Sequence, residues 1–426
     1  MKALLVYPSE SHAGNFIWAK PYIYPQSDLD ESIEKLRKKG YLVSMFPECD
    51  GLAFTSETIS DRNEIYFDFK DSFNWIKILP KTTNEDIDLD QLWNEQIVIM
   101  PLMRFMIYEP ILTGNFCVFP PGHFNTQNLN PSSIDIEFFS DSKNKKSGRD
   151  HITEFTGFSI EKIEEYPIIV FRNSITPAKF FSQNQIEDRE MIKELSQYAD
   201  EFLDVVRFYN CDYTVPEGLP SKAGIWNDRY SVALLYFPKY GKIFFQSREV
   251  EIKNYVRGVG IELLDTEIIE KHPLLKSEIG ETGKIIKNAI RMNSEILESD
   301  NETMKFANIF ALFEFLGYPF GYKKFKDLKK NIICTIVENK RDYHNLCTRF
   351  EELTGGKGAE IGLRTEILHL GKNLIELVPD YEKRRELFKE LEQYVVLKIS
   401  DMIKHSNLSW SEYEEVLDNR FKEIMK

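Results

Sequence analysis

Arg364 and His369 stand five positions apart in EIGLRTEILHLGKNL, residues 360–374. An imidazole gains and loses a proton near neutral pH. A guanidinium fork holds an oxyanion through parallel N–H donors. If the stretch is one helix, about 100° per residue sets the two roughly 140° apart, on the shoulders opposite an apolar stripe of Leu363, Ile367, Leu370, Leu374 and Leu377. Ile361, Thr365, Leu368 and Lys372 fall between them, so two apolar residues are expected in solvent or against a partner helix. The same spacing suits an ordinary surface helix in which Glu360 pairs with Arg364 at i,i+4, worth about 0.3–0.5 kcal/mol.

Other reactive groupings are weaker. GETGK at 280–284 has only two residues between its glycines, and Ile285 where a phosphate loop needs Ser or Thr, so it reads as a turn, as does GGKG at 355–358. Glu251-Ile252-Lys253, following Asp228, has the acid-and-lysine order of a metal-dependent nuclease strand, a triplet common on ordinary strands. Asp135 and Glu137 alternate with Ile134, Ile136 and Phe138 as a solvent face does. His12 and His123 sit in loop sequence with no nucleophile at a recognised spacing. Five cysteines, Cys49, Cys117, Cys211, Cys334 and Cys347, are scattered singly and read as reduced thiols. No metal or cofactor is called for.

The elements that must carry these residues divide the chain. KALLVYP and YLVSMFPE are short strands around a helix from Asp28 to Lys39, which Gly40 closes. EIYFDF, WIKIL, EQIVIMPL, GNFCVF, IDIEFF and YPIIVFRN follow as strands between Pro, Gly, Asn and Asp clusters. The charged stretch 140–151 breaks this pattern. A long helix over about 185–209 presents Ile192, Leu195, Ala199, Phe202, Leu203 and Val206 on one stripe. RYSVALLYF and KIFFQS flank PKYG as a hairpin. From Ile285 onward the periodicity is helical, with helices expected at about 285–299, 302–316, 324–353, 358–378, 381–405 and 409–425; Gly317 ends the second, and Ser409 with Glu412 caps the last. The expected fold class is α+β: a mixed, mostly antiparallel β region over 1–150, a continuing α+β region over 151–280, and an all-α helical bundle over 285–426.

Composition narrows the function classes. With 42% hydrophobic and 29% charged residues the chain is an ordinary globular one. No apolar run approaches the roughly 20 residues of a membrane-spanning helix, and MKALLVYPSES is too short an apolar start for a signal peptide; a cytoplasmic protein is expected. The formal charge of −14 excludes a general nucleic-acid coat. From Arg291 onward, however, 24 acids face 22 bases, so a nucleic-acid contact is expected in this last third. The acidic upstream part suits protein or small-molecule partners.

LRTEILHLGK resembles the R-x4-H motif of HEPN domains, in particular those of ApeA-like anti-phage proteins. MKFANIFALFEFLGYPF resembles the first helix of that family, with Glu314 as its single glutamate, and the later helix order agrees over about 285–426. Thr365 stands where the family has Asn, Asp or His, and Leu370 separates His369 from Gly371. The resemblance implies a metal-independent endoribonuclease in which the ribose 2′-OH attacks the adjacent phosphate, leaving a 2′,3′-cyclic phosphate and a 5′-OH. His369 would shuttle the proton and Arg364 would stabilise the phosphorane. Thr365, Lys372 and Glu314 would support them. It further implies a composite site across a homodimer, RNA (tRNA among the substrates) as the target, abortive infection as the setting, and a phage protein or nucleotide as trigger at the N-terminal region. The rival expectation is a non-catalytic bundle that dimerises or docks a partner.

Overall fold

A strand buried on both faces reads as a continuous apolar run, as EQIVIMPL and YPIIVFRN do, whereas GNFCVF alternates buried and half-buried residues at period two. The computed structural model describes residues 97–123, 160–172, 185–215, 218–237, 242–250, 260–276, 279–355 and 361–426, with short strands at 3–6, 42–43 and 76–78. β1 (Ala3–Val6), β2 (Leu42–Val43) and β3 (Ile76–Ile78) form a small sheet in the order β2-β1-β3. Next come β4 (Ile97–Pro101), β5 (Phe105–Met106), β6 (Ile111–Leu112), β7 (Phe116–Phe119), α1 (Ile160–Ile163), β8 (Ile168–Arg172), α2 (Gln185–Asn210), β9 (Tyr230–Phe237), β10 (Lys242–Glu249) and β11 (Ile261–Glu262). Six of these strands make one antiparallel sheet in the order β10-β9-β4-β8-β7-β6, with Val98 opposite both Phe171 and Leu235. Strands from both sides of residue 150 thus share a sheet.

Val98, Met100, Phe116, Phe171 and Leu235 pack in one core with α2. The anticipated α2 stripe, Ile192, Leu195, Ala199, Phe202, Leu203 and Val206, is buried throughout. Elsewhere on α2, the buried Arg207 donates to Asp204 at 2.8 Å and to the carbonyl of Ser221 at 3.3 Å. This stitches the connection to β9 onto the helix.

The remainder is helical: α3 (Glu267–Glu270), a 3-10 turn at Pro273–Leu275, α4 (Glu281–Leu297), α5 (Glu302–Gly317), α6 (Phe325–Ile333), α7 (Lys340–Thr354), α8 (Leu363–Leu370), α9 (Leu374–Leu377), α10 (Tyr381–Lys404) and α11 (Trp410–Met425). The fold is therefore α+β, an antiparallel sheet followed by a helical region. Ser409 and Glu412 form the capping box expected for α11. Phe208, near the end of α2, and Tyr213, just past it, belong to the core of the helices. Tyr213 donates its hydroxyl to Asn293 of α4 at 2.6 Å, accepts at its carbonyl from Lys305 of α5 at 2.9 Å, and donates its amide to Glu392 of α10 at 3.0 Å.

Four expectations need correction. The helix over 324–353 is two, because Asn339 caps α7 by accepting from the Asp342 amide at 3.0 Å. The helix over 358–378 is also two: Gly371 adopts a left-handed φ of 67° and Asn373 opens α9 with a capping box to Glu376. Leu370, the last residue before that break, is 55% exposed although Ile367 and Leu374 are buried. Gly317 does not end α5. Its backbone packs on Leu328 so closely that a Cβ would lie 2.9 Å from that side chain, and the stop comes from Pro319, which forces Tyr318 into an extended conformation. Finally, α4 starts at Glu281, ahead of its apolar periodicity, since the Thr282 and Gly283 amides dock on the carbonyls of Leu408 and Ser406.

The helix at 28–39, the strands EIYFDF and IDIEFF with Asp135 and Glu137, the stretch 140–151, His12, Cys49, Glu251 to Lys253, the rest of GGKG and Glu360 lie outside the described residues. No described helix is long and apolar enough to cross a membrane.

Candidate functional site

α8 is a short helix that would not persist alone; its neighbours hold it. Gly362 precedes it and approaches the end of α7 so closely that a Cβ would lie 2.1 Å from the Gly355 nitrogen and 2.5 Å from the Thr354 carbon. Gly355, at φ 87°, turns the chain out of α7. Thr365 then donates its hydroxyl to the Thr354 carbonyl at 3.0 Å, satisfying an acceptor that a helix C-terminus leaves open. At the other end, the Leu374 amide donates to the hydroxyl of Thr303 at 3.0 Å. Ile367 and Leu374 anchor the pair of short helices in the core.

Arg364 projects from the first turn of α8 onto α5. Its Nη2 donates to the Glu314 carboxylate in an ion pair, with the two side chains 19% and 26% exposed. Glu314 lies near the end of α5 and Thr303 near its start, so α8 and α9 run antiparallel to α5. Arg364 Nε is buried and makes no hydrogen bond, which leaves this guanidinium with unused donor capacity in a site largely shielded from water. A carboxylate on one edge and free donors elsewhere suit a group that must stay charged and aimed while an anion approaches.

His369 is exposed at the far end of the same helix and makes no hydrogen bond among the described residues. It is one or two turns from Arg364, about 7.5 Å along the axis by helical rise, and no contact joins them. Lys372, just past Gly371, pairs with Glu366 at 2.7 Å, so its charge is already matched. Ile361, Leu368, Leu370 and Ile375 are exposed along this stretch, as expected for Ile361 and Leu368 and unexpected for Leu370.

The structure therefore joins Arg364 with Glu314, ties Thr365 to the helix before it, and leaves His369 free in solvent. Neither Gly362 nor Glu366 stands out in the sequence as a site residue. A glycine immediately before a helix with no Ser, Thr, Asp or Asn to cap it was the available signal for the first; the second had none, since Glu366 reaches Lys372 across a break the periodicity hid.

Among the described residues the competing groupings carry no site. Gly280 and Gly283 pack on Asn407 and Ser406, and the amides a phosphate would need are already bonded to carbonyls. His123 and Asp228 are exposed on turns. Cys334 is buried, and Cys117, Cys211 and Cys347 are half-buried free thiols. Among the described residues no group of three or more His, Cys, Asp or Glu could hold a metal ion. No family model, curated protein or solved structure matches the chain.

Proposed function

We propose that this chain is a metal-independent endoribonuclease of the HEPN type, acting in the cytoplasm in anti-phage defence by abortive infection. The observation that carries the reading is the environment of Arg364: a guanidinium held by Glu314, shielded from water, with donors to spare, on the same short helix as a solvent-exposed histidine. In the reaction a base takes the proton of the ribose 2′-OH, the 2′-oxygen attacks the adjacent phosphorus, and the 5′-oxygen leaves with a proton. The products are a 2′,3′-cyclic phosphate and a 5′-OH. His369 handles the proton, and Arg364 stabilises charge on the phosphorane. Glu314 keeps Arg364 aimed and Thr365 fixes the helix, while Lys372, held by Glu366, brings no unmatched charge. One imidazole serves one side of the phosphorus, so a two-fold homodimer through α8 would supply the second, with the exposed Ile361, Leu368 and Leu370 as its contact. RNA, tRNA included, is the substrate class, and a phage protein or nucleotide acting on the N-terminal region is the trigger. Sequencing new RNA ends in infected cells tests this: 5′-OH ends are expected with the parent chain and absent with His369→Ala, and equal ends in both would refute it.

One observation favours a second reading, a bundle that only docks or dimerises. Glu314 already neutralises Arg364, and the apolar surface beside it needs a cover. Under that reading His369→Ala keeps full protection against phage while Leu368→Glu loses it.

A further inference from the structure

The segment 318–326, YPFGYKKFK, holds four aromatic residues and three lysines with no acid, in a chain of net charge −14. Pro319 ends α5 and throws this segment outward, and its first residue stays tied to the site: the Tyr318 amide donates at 3.0 Å to the carbonyl of Glu314, the residue that holds Arg364. Phe325 is buried, as the anchor of α6. Phe320 and Tyr322, by contrast, are 54% and 83% exposed. Phe320 touches Tyr318 and Trp410 only edge-on, at 5.9 and 6.0 Å between ring centroids. Lys323 lies with its ammonium 3.5 Å from the centroid of the Tyr318 ring. Lys323, Lys324 and Lys326 are exposed and form no ion pair among the described residues, whereas Lys329 and Lys330 farther along α6 are matched by Glu351 and Asp418. Asp327 follows in the first turn of α6, where the helix N-terminus favours it.

Exposed rings interleaved with unpaired cations are what single-stranded nucleic acid binds: every base offers a face to stack, and each phosphate a charge to neutralise. A duplex, with its bases already stacked, gains nothing from the rings. We infer that the loop 318–326 is a platform for unpaired nucleotides, Phe320 and Tyr322 stacking bases while Lys323, Lys324 and Lys326 hold the backbone. Because α8 runs antiparallel to α5, His369 and this loop lie to opposite sides of Arg364 along the helix axis. A strand crossing Arg364 meets the imidazole on one side and the platform on the other. The inference deepens the nuclease reading and rests on it for the identity of the nucleic acid, and it makes an unpaired segment beside the cleaved bond the feature that selects the substrate.

The test is fluorescence anisotropy on the full chain carrying His369→Ala, so that bound RNA stays whole, with a labelled single-stranded RNA and the same strand annealed to its complement. Phe320→Ala with Tyr322→Ala is expected to weaken single-strand binding by roughly 30-fold or more, since base stacking carries about 5- to 150-fold for each of the two rings, with the duplex changed little. Tyr322→Ala alone, at a position with no ring contact, guards against a folding artefact and should lose part of the affinity, while Tyr322→Phe keeps it. Replacing the three lysines with glutamine should flatten the salt dependence. Single-strand affinity unchanged in the double alanine chain overturns the platform. So does a loop variant that keeps RNA affinity but loses binding to phosphatidylserine vesicles, which would make the loop a membrane contact, or one that turns a dimer into a monomer with RNA affinity intact. Binding is read without cleavage: loss of affinity in the loop variants together with an active-site-intact parent that never cuts RNA upholds the platform and removes the nuclease reading.

Discussion

Replacing Glu314 with glutamine probes the contact on which the site is built. Exposed ion pairs contribute about 0–1 kcal/mol, and breaking a fully buried one costs about 3–5 kcal/mol. The Arg364–Glu314 pair, with side chains 19% and 26% exposed, falls between these limits. Arg364 Nε is already without a partner, so removing the carboxylate leaves a mostly dehydrated guanidinium with nothing to offset its charge. The expected coupling is ~1–3 kcal/mol, measured by urea denaturation of Glu314→Gln, Arg364→Gln and the double variant. Single effects that add within about 0.5 kcal/mol would mean the residues do not act as a pair. In the same chains, RNA cleavage by Glu314→Gln should fall about 10- to 100-fold in kcat, since a guanidinium displaced by an ångström loses that much, and Glu314→Asp should recover part of it. Parental kcat in Glu314→Gln would refute the idea that this carboxylate aims Arg364.

Gly362→Ala should destabilise by ~2–4 kcal/mol, because the added carbon meets backbone of Gly355 and Thr354 that cannot yield; Gly371→Ala, in open space at φ 67°, should cost only about 1–2 kcal/mol, and a reversed order in thermal denaturation would contradict the packing. Burial, with the Asp212 carboxylate second, pushes Glu392 up to about 7 from its ordinary 4.5. The folded state thus holds this proton more tightly, so the group's contribution is full below 4.5 and lost as pH rises through 7. Glu392→Gln, which keeps an acceptor for the Tyr213 amide, should gain on the parent by ~1–3 kcal/mol as pH climbs through that window, and a stability difference flat with pH would count against it. Burial also lowers His272 to about 4, where its Nδ1 accepts from the Leu274 amide at 3.3 Å. Its stabilisation is therefore complete above 6.5 and lost as pH falls through 4, and an NMR titration midpoint near 6.5 would refute this.

Local signals carried much of the fold. The α2 stripe, the strands of the sheet, the β9–β10 pairing and the α11 capping box follow from periodicity and capping chemistry that neighbouring residues supply. What periodicity could not show is where a helix pauses and resumes. Asn339 and Asn373 each begin a new helix inside an unbroken apolar rhythm, and Leu370, last in the helix before the second break, lies at the surface instead of in the expected core. Arg364 and His369 stood out by type and spacing, and Glu314 by the resemblance of its helix. That Arg364 pairs with Glu314, fifty positions away, depends on α8 lying against α5, which no local pattern encodes. Tyr213 is of the same kind: its three polar contacts reach α4, α5 and α10.

Incubating the purified chain with single-stranded RNA in EDTA and identifying the new ends tests the central claim most directly. The account predicts cleavage that leaves 2′,3′-cyclic phosphate and 5′-OH ends and disappears in both Arg364→Ala and His369→Ala. Cleavage that requires added Mg²⁺, or that persists in either variant, would contradict it.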